Sequence, residues 1–399
     1  MHSSAPILSL LRSRLRRERL LETAVRLMEV HSPTRDAGAA LAVLADILAD
    51  AGLDVSREEA DWPSAPAVVA WLHSGKPGPV LQIDCHLDTV HLPFHPPRVE
   101  DSTLYGTGAS DMKGGTAAAV EALCMLRELD LPVRGSVLLT GHDHHEGPWG
   151  DKRQVIALCR AGLHGDAVLL PEYQAAWLPT AGRGMAIFRI EISRAQPPSH
   201  EILTDPETPD VIGAGLDLAG QLRSLPLPDS PGESPAGSES LFIGKVQTGE
   251  IYNQSPRTCI IEGTRRWLQP GAGTDARRQI EGVLAGLDAL HGTTTSLEWE
   301  QQGDTFHLPV DHPIVQVVQE VHTELVGRPL PDGPKLFIDD GNIYTAEVGI
   351  PAVTHGPDAL GAHTVNEEVP VSELERIALL YAATAVGFCQ GLGIPAVPG

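Results

Sequence analysis

The chain is short of positive charge. Lysine and arginine number 29 against 52 aspartates and glutamates, a formal net charge of −23. Nucleic-acid backbones are gripped by clustered Lys and Arg, so this balance argues against a nucleic-acid partner. Long apolar runs are also missing. None reaches the length of a bilayer span, so no membrane partner is expected. Cysteine is sparse: Cys85, Cys124, Cys159, Cys259 and Cys389 are odd in number, scattered, and form no Cys-x-x-Cys pair. That usage fits a reduced, cytoplasmic setting. Met1 to Ser13 lacks a basic start and a small-residue cleavage site. The basic stretch Arg12 to Arg19 runs into a helical pattern and reads as a helix face, not an address.

What is present is length. At 399 residues the chain exceeds one ordinary core, so two domains are expected. Helices are expected between about Leu8 and Ala51, from apolar stripes interrupted at Ser32-Pro33-Thr34. Strands follow at Val68–Leu72 and Pro79–Asp84.

Two stretches then carry the chemistry. An apolar run ends in His86-Leu87-Asp88-Thr89-Val90, and Tyr105-Gly106-Thr107-Gly108-Ala109-Ser110-Asp111-Met112-Lys113-Gly114-Gly115 opens an alanine-rich helix, Lys113 to Leu129. Neutral imidazole is a common zinc ligand, which makes His86 a candidate. Asp88, two residues on, is placed to hold its ring. Asp111 accepts through two oxygens and is able to bridge two cations.

These motifs resemble the co-catalytic zinc peptidases and deacylases, the family that includes acetylornithine deacetylase, succinyl-diaminopimelate desuccinylase, aminoacylase and glutamate carboxypeptidase. The resemblance continues at Gly361-Ala362-His363-Thr364-Val365-Asn366-Glu367-Glu368 and covers nearly the whole chain. It implies two divalent metal ions, expected to be zinc, either side of Asp111. His86 and Glu172 complete one site; Glu146 and His363 complete the other.

The sequence departs from the family at Gly141-His142-Asp143-His144-His145-Glu146-Gly147. Resembling enzymes carry two adjacent glutamates here, a general base followed by a ligand. One register makes His145 the base and Glu146 the ligand. Counting from Asp143 instead makes His144 the base and His145 the ligand. The first is preferred because it keeps a carboxylate on the second metal. Histidine serves as a general base near neutral pH.

The resemblance also implies a fold: α/β, a catalytic domain with a mixed sheet flanked by helices, and an inserted ferredoxin-like α+β lid that pairs in a homodimer. The expected boundaries are 1–181 and 296–399 for the catalytic domain and 182–295 for the lid. His200, Asn253 and Arg266 on the lid are implied substrate contacts; a planar guanidinium suits a carboxylate. The expected activity is hydrolysis of an amide in a small peptide or N-acyl amino acid. The missing glutamate leaves an alternative, a non-catalytic metal-binding homologue acting as a binding or interaction module. A one-metal enzyme with different chemistry is a third.

Overall fold

The apolar run before His86 forms a central strand of a six-stranded sheet. In the computed structural model, which describes residues 5–228 and 236–391, the strand order is Asp54–Glu58, Ala67–His73, Ser136–His142, Val80–His86, Ala167–Leu170, Ala352–Thr354. The first two pairings are antiparallel and the remaining ones parallel. The sheet is therefore mixed, and its four parallel strands end along one edge. In open α/β sheets that carboxyl edge is where ligands bind. Strand Val80–His86 is buried from Leu81 onward, as expected for a strand covered on both faces.

Helix Lys113–Glu128 is buried from Lys113 through Leu126, between the sheet and helices Arg17–Met28 and Val371–Gln390. Its alanine-rich sequence has high helix propensity, and a helix apolar on nearly all sides belongs in an interior.

By its contacts the chain divides into two compact units. One is Met1–Thr180, His307–Pro334 and Asp339–Gly399; the other is Ala181–Phe306 with Lys335–Ile338. The second unit runs strand Gly184–Ser193, helix Val211–Arg223, strand Ser240–Thr248, strand Thr258–Trp267, helix Gly273–His291, strand Thr294–Gly303. The four antiparallel strands stand in the spatial order second, third, first, fourth, which is the ferredoxin-like arrangement. Strand Gly184–Ser193 alternates buried and half-buried positions along its length. Its Phe188, Ile190 and Ile192 meet Val211, Leu218 and Leu222 from one helix and Ile280 and Leu284 from the other. Full burial of each such side chain contributes about 1.5–3 kcal/mol.

The boundary expected at residue 296 needs correction. Strand Thr294–Gly303 pairs along strand Gly184–Ser193, so the chain leaves the small unit at Phe306, and Lys335–Ile338 returns to it. The strand alternates weakly, with much of it exposed, which hides its membership in the sequence. The Pro/Ser/Gly/Glu-rich segment Leu227 to Ser240 lies partly, at 229–235, outside the described residues. No helix among the described residues is long and apolar enough to cross a membrane.

Candidate metal centre

His86 ends its strand fully buried. Its Nδ1 lies 3.0 Å from the backbone carbonyl oxygen of Asp88. A carbonyl only accepts, so Nδ1 carries a proton, and Nε2 is the nitrogen left for a metal when the ring is neutral. That Nε2 faces Asp111 Oδ1 at 3.1 Å and Glu172 Oε1 at 3.7 Å. Asp88 thus holds the ring, but through its main chain. Its carboxylate, 3.6 Å from Nδ1, is used elsewhere: it accepts from the backbone N–H of His145 at 3.1 Å and of Glu146 at 2.9 Å.

Asp111 enters from the glycine turn, where Gly106 and Gly108 take φ values of 126° and 84° that other residues avoid. While Oδ1 faces His86, Oδ2 lies 3.3 Å from His363 Nε2, and that same nitrogen lies 3.1 Å from Glu146 Oε2. Two donor groups therefore share Asp111: His86 with Glu172, and Glu146 with His363. Glycine is required at 115, where a methyl would collide with the carbonyl oxygen of Pro171. That close approach brings the residue before Glu172 against the helix that follows Asp111. The turn is clamped by Glu367, whose Oε2 accepts from Ser110 N, Ser110 Oγ and Asp111 N at 3.0–3.1 Å.

Of the histidine pair, His145 reaches the cluster and His144 does not. His144 packs edge-on against Trp62, ring centroids 4.5 Å apart, with Nδ1 3.1 Å from Asp151. Asp143, the marker of the other register, points away, accepting from the backbone N–H of Arg35 and Ala37. The His145 ring stacks on His86 at 3.8 Å with 8° between planes. Its Nε2 lies 3.5 Å from Glu172 Oε1. An imidazole binds a metal in its own plane, so two rings stacked this way do not point at one ion together. His86, His145 and Glu172 have metal-compatible spacing, as do His86, Asp111 and Glu146; the stacking favours His86 as the ligand and leaves His145 beside it.

The donor set suits cations. Burial and the charge of Asp111 push Glu172 well above the usual carboxylate range. Its Oε1 is buried without a hydrogen-bond partner. Burial alone would lower His86, but the Asp111 hydrogen bond and the charges of Glu172, Asp111 and Asp88 outweigh it and hold the ring at about 10. Hydrogen bonds to Asp111 and Glu146 hold His363 at about 11. So many carboxylates converge that the groups retain protons or demand cations. Metal ions satisfy the same demand and need the imidazoles neutral.

Behind His145 lies a second buried group of acids and histidines. Asp340 Oδ2 is 2.7 Å from His145 Nδ1 and 3.3 Å from His142 Nε2, which is also 3.3 Å from Asp84 Oδ2. Asp84, His142 and Asp340 have metal-compatible spacing. Charge balance speaks against a cation there. The Lys152 ammonium lies 3.5 Å from Asp340 Oδ1 and already supplies a positive charge. The only sequence signal for Asp340 is the Asp339-Asp340-Gly341 turn, where Asp339 caps the following helix by accepting from Gly341 N.

The remaining candidates lie in the small unit. His200 Nε2 is 3.2 Å from Asn253 Nδ2, and their segments pair as short antiparallel strands. Arg265 is committed to Glu239 and Gln279. Arg266 is half-buried; burial and the neighbouring Arg183 lower it to about 10.

Residues 83–386 match the model of Peptidase family M20/M25/M40. A succinyl-diaminopimelate desuccinylase from Halorhodospira halophila is 26% identical over 380 residues, covering 90% of this chain and 96% of that protein. The fold is shared with a tripeptidase from Staphylococcus aureus (TM-score 0.78, 22% identity, 94% of this chain and 100% of that one). It is shared too with a dinuclear metal-binding peptidase from Bacillus subtilis (TM-score 0.66, 18% identity, 94% and 98%). The chain belongs to peptidase family M20/M25/M40.

Proposed function

We propose that this protein is a cytoplasmic, homodimeric di-zinc hydrolase that cleaves the amide bond of an N-acyl amino acid or short peptide bearing a free carboxylate. The observation that carries the reading is the sharing of Asp111, one oxygen facing His86 and the other His363. His86, Asp111 and Glu172 would hold one ion, and Asp111, Glu146 and His363 the other. Bound there, divalent cations supply Lewis acidity that acidifies water and polarises a carbonyl.

The protein's own groups do the rest. Asp88 fixes the His145–Glu146 main chain, so that the histidine and the carboxylate face the cluster. His145 acts as general base through Nε2 and returns the proton to the departing amine nitrogen. Arg266, with Asn253, takes the substrate carboxylate. His200 steadies the developing oxyanion. The register that makes His145 the base is supported by His144 turning toward Trp62 and Asp151.

The test is zinc-dependent hydrolysis of a panel of N-acyl amino acids and dipeptides, with elemental analysis for metal content and light scattering for the dimer. Turnover that is lost on chelation and restored by zinc supports the enzyme. Two bound metals without turnover, and no gain from His145→Glu, would favour a binding module. A single bound metal would remove the two-ion mechanism.

A further inference from the structure

The family pattern places a glutamate where this chain has His145. A carboxylate presents two equivalent oxygens, so it has no tautomer to set. An imidazole does: only the Nδ1–H form leaves an acceptor at Nε2. A histidine base therefore needs a partner on Nδ1 that a glutamate base does not need. The structure supplies one. Asp340 Oδ2 sits 2.7 Å from His145 Nδ1, and both groups are almost wholly buried.

We propose that Asp340 is a positioning residue that fixes His145 as its Nδ1–H tautomer with Nε2 directed to the metal cluster. This rests on the reading of His145 as the base. Asp340 is itself fixed on several sides. It opens helix Asp340–Val348, directly after the capping Asp339. Its Oδ1 faces the Lys152 ammonium, and the same Lys152 donates to the backbone oxygen of His145 at 2.6 Å. His142 Nε2 approaches Oδ2 from the sheet, its own Nδ1 donating to the Asp143 carbonyl. The acid and the histidine it orients are thus joined by a side-chain contact and by a shared lysine.

The lysine also decides what an amide would do at this position. An ammonium only donates, so in Asp340→Asn the amide oxygen turns toward Lys152, while the His142 Nε2–H keeps Asp84 as its acceptor. The NH2 group then faces His145 Nδ1 and becomes the donor. His145 is driven to the Nε2–H form, which has no lone pair toward the cluster.

The experiment uses the zinc-loaded protein in four forms: the natural chain, D340N, H145E, and H145E with D340N. Expected for D340N alone is a fall in kcat of about 10²-fold or more, the scale of general acid–base catalysis, with KM and zinc content little changed. In the H145E background the same substitution should leave kcat unchanged or raise it, because it removes a carboxylate beside the introduced glutamate. Long-range ¹⁵N correlation spectra of histidine-labelled protein, with H145Q identifying the resonance, should show Nδ1–H in the natural chain and Nε2–H in D340N. An equal loss of kcat in both backgrounds, a loss of zinc, or an unchanged tautomer would overturn the proposal. If H145Q retains full kcat, the base reading itself fails. If H145Q is inactive while D340N is fully active, the base reading stands and the positioning role falls.

Discussion

Glu367 Oε2 accepts a hydrogen bond from the backbone N–H of Asp111 at 3.1 Å, joining the segment that carries His363 to the turn that carries the shared carboxylate. Asp111 and His363, the proposed ligands, are 252 residues apart in the chain (363 − 111), and this contact is one that makes them neighbours. Carboxylates that orient metal ligands typically govern affinity by 10–100-fold. Glu367→Ala should weaken zinc binding by about that factor, measured by competition with a chromophoric chelator. An unchanged affinity would mean that the clamp is dispensable.

Removing the ligands should separate the two ions. His363→Ala, at an exposed position, takes a donor from one group only, so about one zinc should remain by elemental analysis. Asp111→Asn reduces the charge that both groups share and should lower occupancy of both. Loss of both ions on His363→Ala, with the fold intact by circular dichroism, would contradict the division of donors.

Metal binding should also register as stability. Native-state ligands stabilise by mass action, about 2.7 kcal/mol at a hundredfold excess over Kd. A chelator should therefore lower Tm, and zinc should restore it. His363→Ala should show a smaller shift than the natural chain.

Two glycines predict opposite signs. Gly115→Ala places a methyl against the Pro171 carbonyl oxygen and should destabilise by about 1–3 kcal/mol, as overpacking does. It should also impair zinc binding, because Glu172 follows Pro171. Gly282 lies exposed within helix Gly273–His291, with nothing within 4 Å of where an alanine methyl would sit. Gly282→Ala should therefore stabilise by about 0.5–1 kcal/mol. Urea unfolding distinguishes the two.

His355 should make the fold acid-sensitive. It is wholly buried, and burial, with Arg376 and His322 nearby, lowers its pKa from 6.5 to about 3. Above pH 6.5 the ring is neutral folded or unfolded, and no penalty arises. Below 6.5 the unfolded chain takes up a proton that the folded one refuses. Stability then falls toward pH 3 by up to about 1.4 kcal/mol per pH unit from this group. His355→Leu should flatten that limb of the stability–pH curve. The slope is the readout, since absolute stability also changes with packing.

The sequence by itself singled out the candidate donors and their local settings. An apolar run closing on His86, a glycine turn delivering Asp111 to a helix, and a late Gly-Ala-His363 are local patterns, because strand ends, turns and helix starts are set by nearby residues. The same locality explains why the helices and alternating strands were legible. Tertiary structure alone decided which of His144, His145 and Glu146 reach the cluster, since adjacent residues diverge there and only their packing partners, Trp62 and Asp151 against Asp88 and Glu172, reveal the direction. It alone paired Asp340 with His145 across 195 positions. A hydrogen bond between such distant segments depends on how helix and sheet pack, and no local pattern encodes that.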